Sequence, residues 1–142
     1  MPAEQVTGYA APADGAQLGA VAARLRERNF EVLVVGTAAE ARDAVLALLP
    51  DGAEVHSGKS KTLEDAGILG DLMQSGRHNF LRKRLFQMDR QTQAGEIRKL
   101  GAAPDIMLGS VQAITEAGQL VAASASGAST PIRSTGASAR LR

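Results

Sequence analysis

Two short strand-like segments in this chain, residues 30–35 and 53–57, are each followed by a glycine and then a helix start, and that alternation constrains the fold more than any other feature. Residues 30–35 (FEVLVV) are β-branched and nearly continuously apolar. Such a run suits a strand buried on both faces, as in a parallel sheet. Gly36 breaks it, and Thr37 with Glu40 has the spacing of a capping box, in which each side chain satisfies a backbone N–H of the other. The helix opened there turns Ala41, Ala44, Val45, Leu48 and Leu49 inward. Pro50-Asp51-Gly52 is a turn signal, followed by a second strand over residues 53–57, then Gly58, then another helix start. Strand, helix, strand, helix at this spacing predicts parallel crossover units and an α/β class, a mostly parallel sheet flanked by helices.

The flanks fit one domain over residues 14–126. Residues 1–13 read as a flexible lead-in. Asp14 and Gln17 form another capping-box pair, and Leu18, Val21, Ala22 and Leu25 follow at i, i+3, i+4 and i+7, an amphipathic helix that Asn29 can end. The stretch 71–101 reads as helical and basic. Leu81, Leu85 and Met88 lie on one stripe, and from Arg77 to Lys99 seven Lys or Arg stand against Asp89 and Glu96. A third strand is expected at 105–108 and a fourth at 119–123, with a loop and one helical turn between them. Residues 127–142 hold mostly Ser, Thr, Gly, Ala, Pro and Arg without periodicity and read as a disordered tail.

Composition narrows the functional classes. At 142 residues with 44% apolar but only 3% aromatic content, the core is built from Ala, Val, Leu and Ile. There is no cysteine, so this chain supplies no disulfide, thiolate metal ligand, iron–sulfur ligand or Cys nucleophile. With two histidines no metal site is expected, and no cofactor is indicated. A formal net charge of +1 gives no global field to recruit nucleic acid or an anionic membrane. No signal segment or membrane span is expected either, which makes the cytoplasm the default location.

Two segments carry candidate chemistry. His56-Ser57-Gly58-Lys59-Ser60-Lys61-Thr62 lies between a strand and a helix, where open α/β sheets collect ligands. Ser57, Ser60 and Thr62 offer hydroxyls, Lys59 a charge and Gly58 a close backbone approach, so a small anionic metabolite would fit. Gly58-Lys59-Ser60 matches the end of a P-loop. The preceding glycine, Gly52, leaves five intervening residues where the motif needs four, so an NTPase reading is rejected. The plainer alternative is that Ser60 or Thr62 caps the helix. The second segment is Gly109-Ser110 followed by Thr115-Glu116-Ala117-Gly118, which puts a carboxylate between glycine-containing turns after a strand. Glu116 is a candidate nucleophile or general base; the alternative is a solvated turn residue. His56 is a possible ligand contact or a structural histidine, His78 reads as a surface residue, and Phe86 reads as inward-facing. The basic helix could bind nucleic acid or an acidic partner, but only Phe80 and Phe86 lie nearby for base stacking, and it reads as a solvated face.

The segments 30–42, Leu49-Pro50-Asp51-Gly52-Ala53-Glu54-Val55, Ser60-Lys61-Thr62-Leu63, Leu85-Phe86-Gln87-Met88-Asp89-Arg90 and Leu100-Gly101-Ala102-Ala103-Pro104-Asp105 together resemble the LUD (lactate-utilisation) domain family. The most specific match is Gly109-Ser110-Val111-Gln112-Ala113-Ile114-Thr115-Glu116-Ala117-Gly118, continued by Ala123-Ser124-Ala125-Ser126-Gly127. The resemblance implies a Rossmann-like sheet similar to that of sugar-phosphate isomerases and coenzyme A transferases, and a role in bacterial organic-acid use. In the related transferases a catalytic glutamate occupies a Glu-x-Gly turn, which Glu116 and Gly118 resemble. The resemblance also implies an alternative, a non-catalytic subunit that docks on an iron–sulfur oxidoreductase through Arg82–Arg84; a further alternative is an inactive remnant. Members of the family continue differently after the Ser-Gly. A truncation or frame change near Gly127 is therefore expected, with the loss of at least one strand and an open apolar edge that invites homo-oligomers.

Overall fold

The structure is a computed structural model and describes residues 11–123 together with the backbone of Ser138–Ala139. Most of the lead-in and tail expected at 1–13 and 127–142, and the change expected near Gly127, lie outside the described residues. The chain divides into two compact units. The first holds the described residues up to Val34, then Val111–Ala122 and Ser138–Ala139; the second holds Val35–Ser110 and Ala123.

In the first unit, α1 (Gly15–Glu27) starts at the expected capping box. The Gln17 N–H donates to the Asp14 carboxylate at 2.8 Å and the Asp14 N–H to the Gln17 side-chain oxygen at 3.0 Å. It ends as a Schellman motif: Asn29 takes the left-handed conformation (φ 64°), the Phe30 N–H donates to the Leu25 carbonyl, and the Asn29 N–H to that of Arg26. Val21, Ala22 and Leu25 of α1 bury Val32 of β1 (Glu31–Val32), with Phe30, Ile114 and Leu120 packed alongside. The strand expected over 30–35 is thus reduced to two residues, paired in parallel with β7 (Ser138–Ala139). Leu33 is 47% exposed, because α1 covers only the Val32 side of this run and an apolar run is buried on both faces only where layers cover both. The expected fourth strand also differs. β6 (Leu120–Val121) pairs antiparallel with β5 (Ala113–Ile114), which formed part of the predicted loop. A tight hairpin needs only a three-residue loop to bring these strands together. Glu116-Ala117-Gly118 is that loop, with Gly118 at φ 75° and its N–H donating to Thr115 O at 2.8 Å.

The second unit carries the α/β fold. α2 (Ala38–Leu48) begins at the Thr37–Glu40 capping box. Its buried side is Ala41 with Val45, Leu46 and Leu49, while Leu48 points to solvent, one position out of step with the expected stripe. A turn closed by the Ala53 N–H on Pro50 O, with Gly52 at φ 76°, delivers β2 (Glu54–Ser57). α3 (Lys61–Asp65) and α4 (Ile68–Gln74) follow, then β3 (Asn79–Phe80), α5 (Leu81–Gln87), α6 (Ala94–Ala102) and β4 (Ile106–Leu108). β3 interrupts the stretch that reads as continuously helical; a two-residue strand is too short to carry a period of two. All three strands are parallel, in the order β3-β2-β4, with Val55 opposite both Phe80 and Ile106.

Strand alternation separates the two faces of this sheet. Val55 packs with Leu49 before the strand, Leu63 of α3, and Ile68 and Leu72 of α4. His56 takes the other face, where a Cβ on Gly101 of α6 would lie 4.0 Å from its ring and where the α5 residue Arg82 bonds the Gly58 carbonyl. Helices therefore flank the sheet on both sides. Among the described residues no helix is long and apolar enough to cross a membrane.

Candidate functional site

The strand order creates a switch point. From β2 the chain moves through α3 and α4 to β3 on one side; from β3 it crosses β2 through α5 and α6 to reach β4 on the other. Where neighbouring strands lead away on opposite faces, a crevice opens beyond their carboxyl ends, and in such sheets ligands bind there. Here that place is bounded by Ser57-Gly58 after β2 and Gly109-Ser110 after β4.

Two candidates that lie 50 residues apart in sequence meet at this point. The Ser60 hydroxyl donates to the Ser110 hydroxyl at 2.9 Å. Ser60 also caps α3 by accepting from the Leu63 N–H at 3.3 Å, so the capping alternative for Ser60 is real and is compatible with the second contact. Ser57 sits at the end of β2, only 2% exposed, and its hydroxyl finds no hydrogen-bond partner among the described residues. A buried hydroxyl without a partner is destabilising by about 1–3 kcal/mol and points to a group that completes it. Thr62 is half-buried in the first turn of α3, Lys59 is exposed, and Gly109 is exposed at the end of β4.

On the other face, the His56 Nδ1 is also buried without a partner among the described residues. Burial, reinforced by the Arg82 guanidinium, holds this imidazole below its ordinary pKa and so keeps it neutral near pH 7. Arg82 donates to the Gly58 carbonyl at 3.2 Å and stacks over the Phe86 ring at 5.4 Å. Sequence reasoning treats Arg82 only as one of a basic series. Nothing in the local pattern distinguishes the cation that reaches the Gly58 carbonyl from those that do not. Phe86, expected inside, is 64% exposed: Leu81, Leu85 and Met88 occupy the inward stripe, and Phe86 falls beside Arg82 on the outer side. His78, expected on the surface, is buried, with Nε2 at 3.3 Å from Leu49 O.

Glu116 and Thr115 belong to the first unit, and the serine cluster belongs to the second. Glu116 is exposed in the hairpin loop, without a hydrogen bond or ion pair among the described residues, while Thr115 is half-buried and its hydroxyl accepts from the Gln119 N–H at 3.0 Å. A cleft of about 260 Å³ lies elsewhere in the second unit, between α5 and α6, lined by Arg84, Met88, Glu96, Lys99 and Leu100. Among the described residues no three His, Asp or Glu side chains come together as a metal site.

Comparison with known proteins adds the family. No curated protein and no solved structure matches the chain. The model of the LUD domain matches residues 18–138, which takes in most of α1, the three-stranded sheet with its switch point, and the hairpin. With most of its length covered by that match, the chain belongs to the LUD domain family.

Proposed function

We propose that this protein serves organic-acid utilisation, of which lactate use in bacteria is the type suggested by its family, and that it binds a small anionic metabolite at the β2–β4 switch point. The observation that carries the reading is the buried, unpartnered Ser57 hydroxyl at the end of the central strand. Beside it in the chain, the Ser60–Ser110 pair ties together the loops that leave β2 and β4. A carboxylate or phosphate oxygen accepts hydrogen bonds and donates none, so it suits a cluster of hydroxyls and loop N–H groups. Gly58 and Gly109 keep the backbone accessible, Lys59 stands on the same loop, and Thr62 follows in the first turn of α3. The parallel β3-β2-β4 sheet with helices on both faces supports the likeness to the sugar-phosphate isomerase and coenzyme A transferase group, which we include in the proposal.

The test is titration of the whole chain with lactate, inorganic phosphate and coenzyme A, followed by amide NMR. One of these anions should shift the resonances of Ser57–Ser60 and Gly109–Ser110, and Ser57→Ala should weaken that response about tenfold, as expected when a hydrogen bond to a charged group is lost. No shift at these loops up to millimolar ligand would reject the site. Glu116→Gln is read separately: it should leave binding unchanged and abolish turnover only if Glu116 carries chemistry.

A further inference from the structure

α6 is an amphipathic helix that buries none of its residues: Ile97 and Leu100 remain half-exposed. A nine-residue helix is too short to be stable alone, since isolated helices need roughly 12–15 residues, so its apolar side calls for a packing partner. The neighbouring α5 supplies one wall, and between them lies the cleft of about 260 Å³ with Met88 and Leu100 in its lining and Arg84, Glu96 and Lys99 around it. Metabolite pockets measure roughly 300–1,000 Å³, so this smaller recess better suits one apolar side chain of a protein partner.

The cations of this region divide into two groups. Arg82 is held on Gly58 O, and Lys83 reaches Met73 O at 3.4 Å. Arg84, Arg98 and Lys99 are exposed and make no hydrogen bond or ion pair among the described residues. The charged residues in the lining are Arg84 and Lys99 against Glu96, a positive balance that favours anions. Nucleic acid is the weaker match for that charge. Stacking needs an aromatic face, and none of the residues that line the cleft is aromatic.

We propose that the α5–α6 groove docks an acidic amphipathic segment of a partner protein, with one apolar side chain held between Met88 and Leu100 and carboxylates facing Arg84 and Lys99. This is helix-in-groove recognition with a basic rim. It uses none of the residues of the anion site and stands or falls independently of it.

The experiment measures fluorescence anisotropy of the full chain with an 18-residue labelled peptide carrying Leu on one helical face and Glu on the other. A scrambled peptide of identical composition and an oligothymidine serve as comparisons. The amphipathic peptide should bind at least about tenfold more tightly than either comparison, and Arg84→Glu with Lys99→Glu should remove at least about tenfold in affinity. Glu96→Gln, which deletes the one carboxylate in the lining, should tighten binding about twofold. All three side chains are exposed, so these variants should melt like the parent. Equal binding of the scrambled peptide or the oligonucleotide would overturn the proposal, as would indifference to the charge reversals. Light scattering that shows a dimer dispersed by Leu100→Asp would overturn it in favour of a second copy. If Leu100→Asp fails to fold, the charge-reversal pair still decides.

Discussion

The two units of this chain reach a buried core by opposite routes. The second is contiguous: residues 35–110 contain its helices, its three parallel strands and the cluster around Val55. The first is stitched from segments far apart in sequence, with Leu25 and Val32 packed against Ile114 and Leu120. Its seam includes the Arg28 guanidinium on Gly118 O at 3.1 Å, across 90 residues. Closing so long a loop is entropically unfavourable, though the penalty grows only logarithmically with length. The contiguous unit has local connections on its side, whereas the stitched unit depends on a few close contacts, so small changes at its seam should matter more.

The largest test removes matched core leucines. Leu25→Ala in the first unit and Leu72→Ala in the second should each destabilise by about 2–5 kcal/mol. Hydrogen exchange then separates the units. Leu25→Ala should release α1 and the hairpin while β2 and β4 stay protected, and equal release everywhere would show one cooperative body and break the comparison. Next come two glycines with nearly the same backbone angle. A Cβ on Gly118 would lie 3.1 Å from Arg24 Cβ, whereas one on Gly52 meets nothing within 4 Å. Gly52→Ala should thus show only the left-handed penalty of about 1–2 kcal/mol, and Gly118→Ala should exceed it in chemical denaturation. Equal losses would mean the seam is loose. Smaller still, Asp14→Ala and Thr37→Ala each remove a helix cap in one unit and should lower stability by about 1 kcal/mol apiece.

The smallest effect is a pH dependence confined to the second unit. His56 titrates below its ordinary value because it is buried and faces Arg82. As pH falls the unfolded chain takes up this proton first, so the contribution is fully present above about pH 6.5 and is lost as pH drops through the folded value. His56→Gln should flatten that part of the stability profile. An unchanged slope would assign the dependence to another group.

What could be read from the chain followed the range of the interactions. Both capping boxes are three-residue patterns, and each appears at the predicted residues because the bonds that define it are local. The α/β class and the positions of β2 and β4 were legible for the same reason, β2 from the turn before it and the glycine after it and β4 from a short apolar run. β3 and β5 were not, since each is only two residues long and is defined by its partner strand. At the site, Ser60 and Ser110 could each be nominated from loop chemistry, but their contact depends on β2 and β4 becoming neighbours. The same limit explains Phe86 and His78, whose exposure is set by what packs over them. The α5–α6 cleft had no sequence signature beyond an excess of positive charge.

The strand order also sets a timetable for synthesis. β2 lies at the centre of its sheet, yet both of its neighbours are encoded after it, β3 at Asn79–Phe80 and β4 at Ile106–Leu108. At roughly 5–20 residues per second, a ribosome needs about 2–10 s to add the chain between Ser57 and Ile106. Throughout that interval one edge of the central strand has no ladder partner from its own sheet, and open edges of this kind recruit foreign strands. The nascent chain is therefore most vulnerable to aggregation in the middle of its translation, and slowing the codons between α5 and β4 should lower its soluble yield more than slowing those upstream of β2.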